Sequence, residues 1–184
     1  MPLLAEHQKA ATEFPKLAEL ITYLDSLKGR ADLKTLEKIL ARINITREDI
    51  LPACVFGVKG YRRNTICKSE HYELLANCWH SGHCTPIHDH KGVSCAFKII
   101  EGIGTEIRFE VTPSKLICPV GTVTMQPGYV CAADEADIHE VANMQAADQD
   151  LITLHIYSPP ISKMNVYAYG EASTAECGDC YEKC

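Results

Sequence analysis

The sequence predicts a mainly β domain, a closed barrel or two packed sheets, behind a short helical segment. Three observations carry this. From about residue 53 to residue 169, short runs rich in β-branched and aromatic residues alternate with turn residues such as Gly102, Gly104, Pro113, Pro119 and Pro127-Gly128. Residues 1–52 place their apolar side chains at helical spacing instead. A chain of 184 residues suits one domain with a real core and leaves little room for a second. The expected organisation is therefore a single domain. It has a helical segment over 1–52, a β-barrel over 53–169 and a loose, cysteine-containing tail over 170–184.

In the helical segment, Phe14, Leu17, Leu20, Ile21, Leu24 and Leu27 form one apolar stripe, and Gly29 offers a place for that helix to end. Asp32 is placed to cap a second helix carrying Leu33, Leu36, Ile39, Leu40 and Ile43. Thr46 with Asp49 resembles a capping box opening a short third helix before Pro52. The segment reads as scaffold. Strands are expected at 61–67, 71–79, 85–90, 94–101, 105–111, 120–126, 129–132, 138–142, 151–157 and 165–169. So many short strands point to a sandwich or barrel and not to a parallel sheet.

Bulk properties exclude several classes of function. A net charge of −6 argues against nucleic acid and against an acidic membrane surface. No apolar run approaches transmembrane length, and the N-terminus lacks a basic-then-apolar leader. Ten cysteines in an exported chain would suggest disulfides, but these are irregularly spaced with no sign of export. Reduced thiols, a cytoplasmic location and a monomer are expected. Cys54, Cys67, Cys78, Cys118 and Cys131 read as small apolar core residues, and Cys84 stays open. Cys177, Cys180 and Cys184 offer three thiols where a closed zinc site wants four ligands, so an oxidisable, mobile tail is the better reading.

The chemistry begins at His88-Asp89-His90. Residues two apart on a strand share a face, so both imidazoles can reach one metal ion while Asp89 points away. Imidazole suits iron, zinc, copper and nickel. From the pair alone, two surface histidines on an edge strand are as good a reading. The flanking spacing shifts the balance. Gly82, His88, His90, Cys95 and Gly102 are similar to the first motif of the cupin barrels, G-x5-H-x-H-x4-E-x6-G, with Cys95 where most cupins have glutamate. Gly121, Pro127 and the run His139 to Asn143 resemble the second cupin motif, with its P-x-G degraded and a longer gap. This resemblance implies a cupin-type, jelly-roll-like β-barrel holding a metal.

Two further stretches carry polar groups on one strand face. In 151–157, Thr153, His155 and Tyr157 alternate with Ile152, Leu154 and Ile156. Hydroxyl, imidazole and phenol could hydrogen-bond in sequence and orient the Tyr157 hydroxyl, or they could line a solvent face. Tyr61 and Arg63 likewise share a face, with Arg62 opposite. An inward guanidinium is a natural anchor for a small carboxylic acid, although an arginine in such a basic tract is more often solvated.

Taken together, Tyr61-x-Arg63-Asn64, Cys78-Trp79, Ile87 to His90, Cys95, His139 and Leu154 to Pro160 resemble the cysteine dioxygenases of the thiol dioxygenase family, across roughly residues 55–167. The resemblance implies a mononuclear Fe(II) bound by His88, His90 and His139. It implies Arg63 and Tyr61 on the carboxylate of L-cysteine, and Cys95 and Tyr157 beside the iron and able to join as a thioether. His155 would lie near the phenol, and Ser158-Pro159 would be a cis bond. Three neutral imidazoles leave the iron its full positive charge, which favours a bound thiolate, and both atoms of O2 would pass to sulfur to give cysteine sulfinate. Thr153, Met164 and the cysteine-rich tail depart from the animal enzymes, and none of them is a metal ligand. Two other readings are carried forward. One is a dioxygenase of another small thiol such as 3-mercaptopropionate, against which Arg63 counts. The other is a non-catalytic metal-binding cupin.

Overall fold

The computed structural model describes residues 2–133, 137–169 and 175–177. The chain starts with α1 (Pro2–Glu13), a 3-10 turn (Pro15–Leu17) and α2 (Ala18–Asp25), where the apolar stripe alone predicts a single helix from Phe14. Pro15 breaks that run. It has no N–H to donate and its ring crowds the preceding turn, so Phe14 leaves helical geometry at φ −122°, ψ 69°. The stripe nevertheless faces inward, with Phe14, Leu17, Leu20, Ile21 and Leu24 buried. Ser26, and not Gly29, caps α2. α3 (Leu33–Arg42) opens as its sequence predicts, the Asp32 carboxylate accepting from the Thr35 N–H at 2.8 Å. Asp49 accepts from the Thr46 N–H at 2.8 Å, but the turn it opens is 3-10 (Glu48–Ala53) and contains Pro52.

Eleven strands follow among the described residues: β1 (Arg62–Lys68), β2 (Glu73–Trp79), β3 (Ile87–His88), β4 (Ser94–Glu101), β5 (Gly104–Val111), β6 (Ile117–Met125), β7 (Val130–Ala133), β8 (Ile138–Ala142), β9 (Leu151–Ser158), β10 (Met164–Tyr167) and β11 (Ala175–Cys177). They form two antiparallel sheets, ordered β1-β2-β9-β4-β7 and β11-β10-β3-β8-β5-β6. The protein is mainly β. Each expected strand has a counterpart, the one at 85–90 shrinking to two residues. Within the stretch expected to be loose, β11 pairs with β10, Met164 opposite Cys177. Cys180 and Cys184 lie outside the described residues.

β9 is the strand on which the two faces of the first sheet are most clearly divided. It lies between β2 and β4, and every one of its residues is buried. Ile152, Leu154 and Ile156 pack outward, in one cluster with Leu20, Leu24, Leu36 and Leu40 of the helices. Leu151 and Tyr157 belong to a separate cluster with Leu75, Trp79, Cys95, Phe97 and Met125. The helices therefore supply the cover that the outer face of this sheet needs. The connection between α2 and α3 and the end of α3 also fasten the strands. Arg30 Nε donates to Ser94 Oγ at 2.6 Å, and the Ala31 N–H donates to Ser158 Oγ at 2.9 Å. Lys98, buried on β4, donates to the Leu40 and Ile43 carbonyls at 2.8 and 2.7 Å, satisfying acceptors at the end of α3.

Gly102 joins β4 to β5 at φ +77°, where any side chain would run into the Asp150 carbonyl, so only glycine serves. Cys67 and Cys78 are core residues as expected. Cys54, Cys118 and Cys131 are only half-buried, and Cys84 is exposed. No helix among the described residues is long and apolar enough to cross a membrane.

Candidate metal centre

His88 on β3 and His139 on β8 are direct cross-strand partners. His90 lies two residues after His88, just past the end of β3, and its ring turns to the same side. All three are buried, and their candidate ligand nitrogens lie within 4.8 Å of one another. Ring centroids are 5.3 Å apart for His88–His90, 4.8 Å for His88–His139 and 4.9 Å for His90–His139. Asp89 points the other way. It accepts from Asn165 Nδ2 and from the Tyr167 hydroxyl, each at 2.8 Å, and so ties the histidine segment to β10.

The rings are prepared to bind a cation through lone pairs. His88 Nδ1 is 2.9 Å from the Pro86 carbonyl, an acceptor, so this nitrogen carries the proton and Nε2 is left for the metal. His139 Nδ1 is held in the same way, 2.8 Å from Glu106 Oε1. His90 Nδ1 is buried and has no partner among the described residues. Burial, reinforced by His139, lowers His88 to about 3. Burial also holds His90 well below the ordinary histidine value, with His88 and His139 adding to the effect. Converging, buried imidazoles, with His88 and His90 held neutral, fit a divalent transition metal.

The facing sheet contributes the organic groups. Cys95 on β4 and Tyr157 on β9 are direct partners across the ladder. Burial, at 1% exposure, pushes the Cys95 thiol well above its usual value. The Tyr157 hydroxyl is 3.3 Å from His155 Nδ1, and Phe97 stacks on the His155 ring at 4.8 Å. Burial, followed by the nearby charge of Arg63, keeps His155 well below the ordinary range. The hydrogen-bonded run expected along this face is made only in part. Thr153 Oγ1 accepts from Trp79 Nε1 at 3.3 Å, and His155 Nε2 has no partner among the described residues. The Arg63 guanidinium sits 5.0 Å from the centre of the Tyr157 ring, and Tyr61 stacks on Trp79 at 4.1 Å. His90 and Tyr157, with ring centroids 6.1 Å apart, join the two halves. Met164 is buried in the same cluster as Cys95 and Tyr157. A solvent face for β9 and a solvated Arg63 are both excluded by this burial.

Three side chains of the site escape a reading of the sequence. Glu73 heads β2 as the cross-strand partner of Tyr157. Its carboxylate accepts from Arg63 Nη2 and from Thr65 Oγ1, each at 3.1 Å, with Lys68 Nζ at 3.7 Å. Glu106 on β5 holds His139. Burial alone would raise its pKa, but the hydrogen bond from His139 and the pairing with Arg108 outweigh it and hold the carboxyl below the usual value. Asn77 lies across from both Arg63 and Thr153, its Oδ1 buried without a partner among the described residues. The available signal was a polar residue set in a run that is otherwise a buried strand, as in Tyr72-Glu73-Leu74-Leu75.

Comparison with known proteins gives the family. The sequence profile described as cysteine dioxygenase type I matches residues 6–170. The chain belongs to this family. Membership makes it an oxidoreductase of the non-haem dioxygenase kind, and the three-histidine cluster is its candidate metal site. Cysteine dioxygenase type 1 of Danio rerio is 25% identical over 142 residues, spanning 74% of this chain and 70% of its own. The Homo sapiens protein of the same name is 25% identical over 158 residues, spanning 82% and 78%. Among solved structures, a Klebsiella pneumoniae protein with a double-stranded β-helix domain is similar with a TM-score of 0.54 at 12% identity, over 77% of this chain and 98% of its own. A Bacillus halodurans protein is similar with a TM-score of 0.50 at 14% identity, over 78% and 95%. Identity this low bears on the fold alone, which is the double-stranded β-helix of the cupins.

Proposed function

We propose that the protein is a cysteine dioxygenase, adding both atoms of O2 to the thiol of L-cysteine to give cysteine sulfinate. Fe(II) would be held by His88, His90 and His139. The observation that carries the reading is the meeting of this cluster with Arg63, Cys95 and Tyr157 of the facing sheet, in a member of this family. Bound there, Fe(II) would supply the one-electron chemistry that lets dioxygen react with a thiolate.

The chain's own groups do the rest. Arg63 binds the substrate carboxylate by charge-assisted hydrogen bonds, with its guanidinium braced against the Tyr157 ring. Tyr61, stacked on Trp79, closes that side of the pocket. His155, neutral and hydrogen-bonded to the phenol, orients the Tyr157 hydroxyl toward the reacting atoms. Direct pairing of Cys95 with Tyr157 supports a thioether between them. Coupling sulfur to the ring carbon beside the hydroxyl releases two hydrogens, which dioxygen takes up. The Arg63–Glu73 ion pair holds the guanidinium in place, and an arginine at this position counts against 3-mercaptopropionate as the preferred substrate.

Oxygen uptake and sulfinate formation by iron-loaded protein test the proposal. L-Cysteine should give one sulfinate per O2 consumed and should outcompete both 3-mercaptopropionate and cysteamine. A protein that holds iron stoichiometrically yet consumes no oxygen with any of the three is a metal-binding barrel and not a dioxygenase.

A further inference from the structure

We propose that Arg108, Glu106 and His139 form a charged relay that sets how strongly His139 donates to the bound metal, and through it the metal's potential. The proposal rests on the metal reading above and concerns a residue pair outside the ligand set. Glu106 is 0% exposed, on the strand next to β8. Its two oxygens are divided between two partners. Oε1 takes the His139 Nδ1 proton at 2.8 Å, and Oε2 takes both Nε and Nη2 of Arg108, each at 2.9 Å. The Arg108 side chain is 43% exposed, so the line runs from solvent through a buried carboxylate to a ligand ring.

The three candidate ligands thus differ in what lies behind them. His88 is backed by a neutral carbonyl, His90 by no partner among the described residues, and His139 by an ionised carboxylate. A carboxylate that accepts the Nδ1 proton fixes the tautomer and gives the ring anionic character, which strengthens the Nε2 donor. A stronger donor favours the more highly charged state of a metal and lowers its reduction potential. Arg108 pulls the other way by drawing charge out of the same carboxylate. Two carboxylates therefore lie around His139: Glu106, which takes its Nδ1 proton and whose strength a surface side chain adjusts, and Asp137, with an oxygen within 4.8 Å of both the His139 ring nitrogen and Glu106.

Two charge-removing variants with opposite expected signs test this: Glu106→Gln and Arg108→Gln. Affinity is read with Co(II) and with Zn(II) against a chelating dye, and the Fe(III)/Fe(II) midpoint by spectroelectrochemical titration at pH 8. Glu106→Gln should weaken both metals about 10- to 100-fold and raise the midpoint. Each tenfold loss of preference for Fe(III) reads as about 59 mV. Arg108→Gln should leave affinity undiminished and lower the midpoint. Its site of substitution is partly solvated, so it reports even if the buried variant folds poorly. A shift of both midpoints in the same direction, or a Glu106→Gln protein with parental affinity and potential, overturns the relay. A parent that binds neither Co(II) nor Zn(II) overturns the metal reading, and the relay with it.

Discussion

Arg63→Ala removes a guanidinium with two separable duties, and the structure lets their sizes be worked out apart. Its side chain is 14% exposed and pairs at 3.1 Å with Glu73, whose side chain is 9% exposed. Deleting one partner of a buried pair strands the other charge, at a cost of about 3–5 kcal/mol. Thr65 and Lys68 still serve Glu73, so the low end of roughly 3 kcal/mol applies. For a chain of this size that is a fall in Tm of about 6–12 °C. The second duty, under the proposed function, is binding the substrate carboxylate. Charge-assisted bonds contribute about 1.5–3 kcal/mol, so KM for cysteine should rise roughly 10- to 150-fold. KM for cysteamine, which has no carboxylate, should hardly change. The double variant Arg63→Ala/Glu73→Gln separates the effects, because it removes the stranded charge without restoring the anchor. Thermal unfolding and oxygen-uptake kinetics on the four proteins complete the cycle. Recovery of Tm with no recovery of KM is expected. Recovery of both together would show that Arg63 acts only through folding, and the anchor assignment would fall.

Three further outcomes are expected. His139→Ala should strip most of the iron and the activity together, and full iron content in that variant would sink the ligand assignment. The Cys95–Tyr157 thioether should lower the intact mass by about 2 Da and produce a doublet on a denaturing gel, from the two lost hydrogens and the retained loop. Cys95→Ser should collapse the doublet and leave reduced but measurable turnover, whereas full recovery of an unmodified Cys95 peptide after extended turnover would rule the crosslink out. Metal-stripped protein should lose stability in acid. Burial depresses His88 to about 3 and holds His90 and His155 well below normal, so the unfolded chain binds protons first, from its ordinary value of 6.5 downward. Stability is full above pH 6.5 and falls as pH drops toward the folded values, by up to about 1.4 kcal/mol per pH unit for each ring. A flat Tm between pH 7 and 5 would mean that the rings are already solvated.

What the sequence made legible was local. The His88-x-His90 pair, the glycines around it and the alternation along 151–157 all depend on a strand's twofold period, which needs no knowledge of neighbouring strands. Asp32 as a cap is equally local. Glu73 and Glu106 were not legible, because their importance comes from register. Glu73 matters because β2 sets it beside Tyr157 and within reach of Arg63, and Glu106 because β5 lies against β8. Neither pairing is written in the spacing of either strand. The break at Pro15 was visible in principle, and the apolar stripe running through it outweighed it. The Thr153 hydroxyl shows the opposite failure. Its face was read correctly, but Trp79 on the adjacent strand took the bond assigned to His155.

The candidate ligands and the organic groups come from different sheets. His88 and His139 belong to the sheet containing β3 and β8, with His90 just past the end of β3, while Arg63, Cys95, His155 and Tyr157 belong to the one containing β1, β4 and β9. Inward residues of β1, β2, β4 and β9 can in principle be exchanged to admit a differently shaped thiol without touching the histidine cluster on the other wall. Exchanging the inward side chains of β1, β2, β4 and β9 between thiol dioxygenases is therefore a rational route to new selectivity. The α2–α3 connection, which binds Ser94 and Ser158 through Arg30 and Ala31, would have to travel with the exchange, since it holds those strands in place.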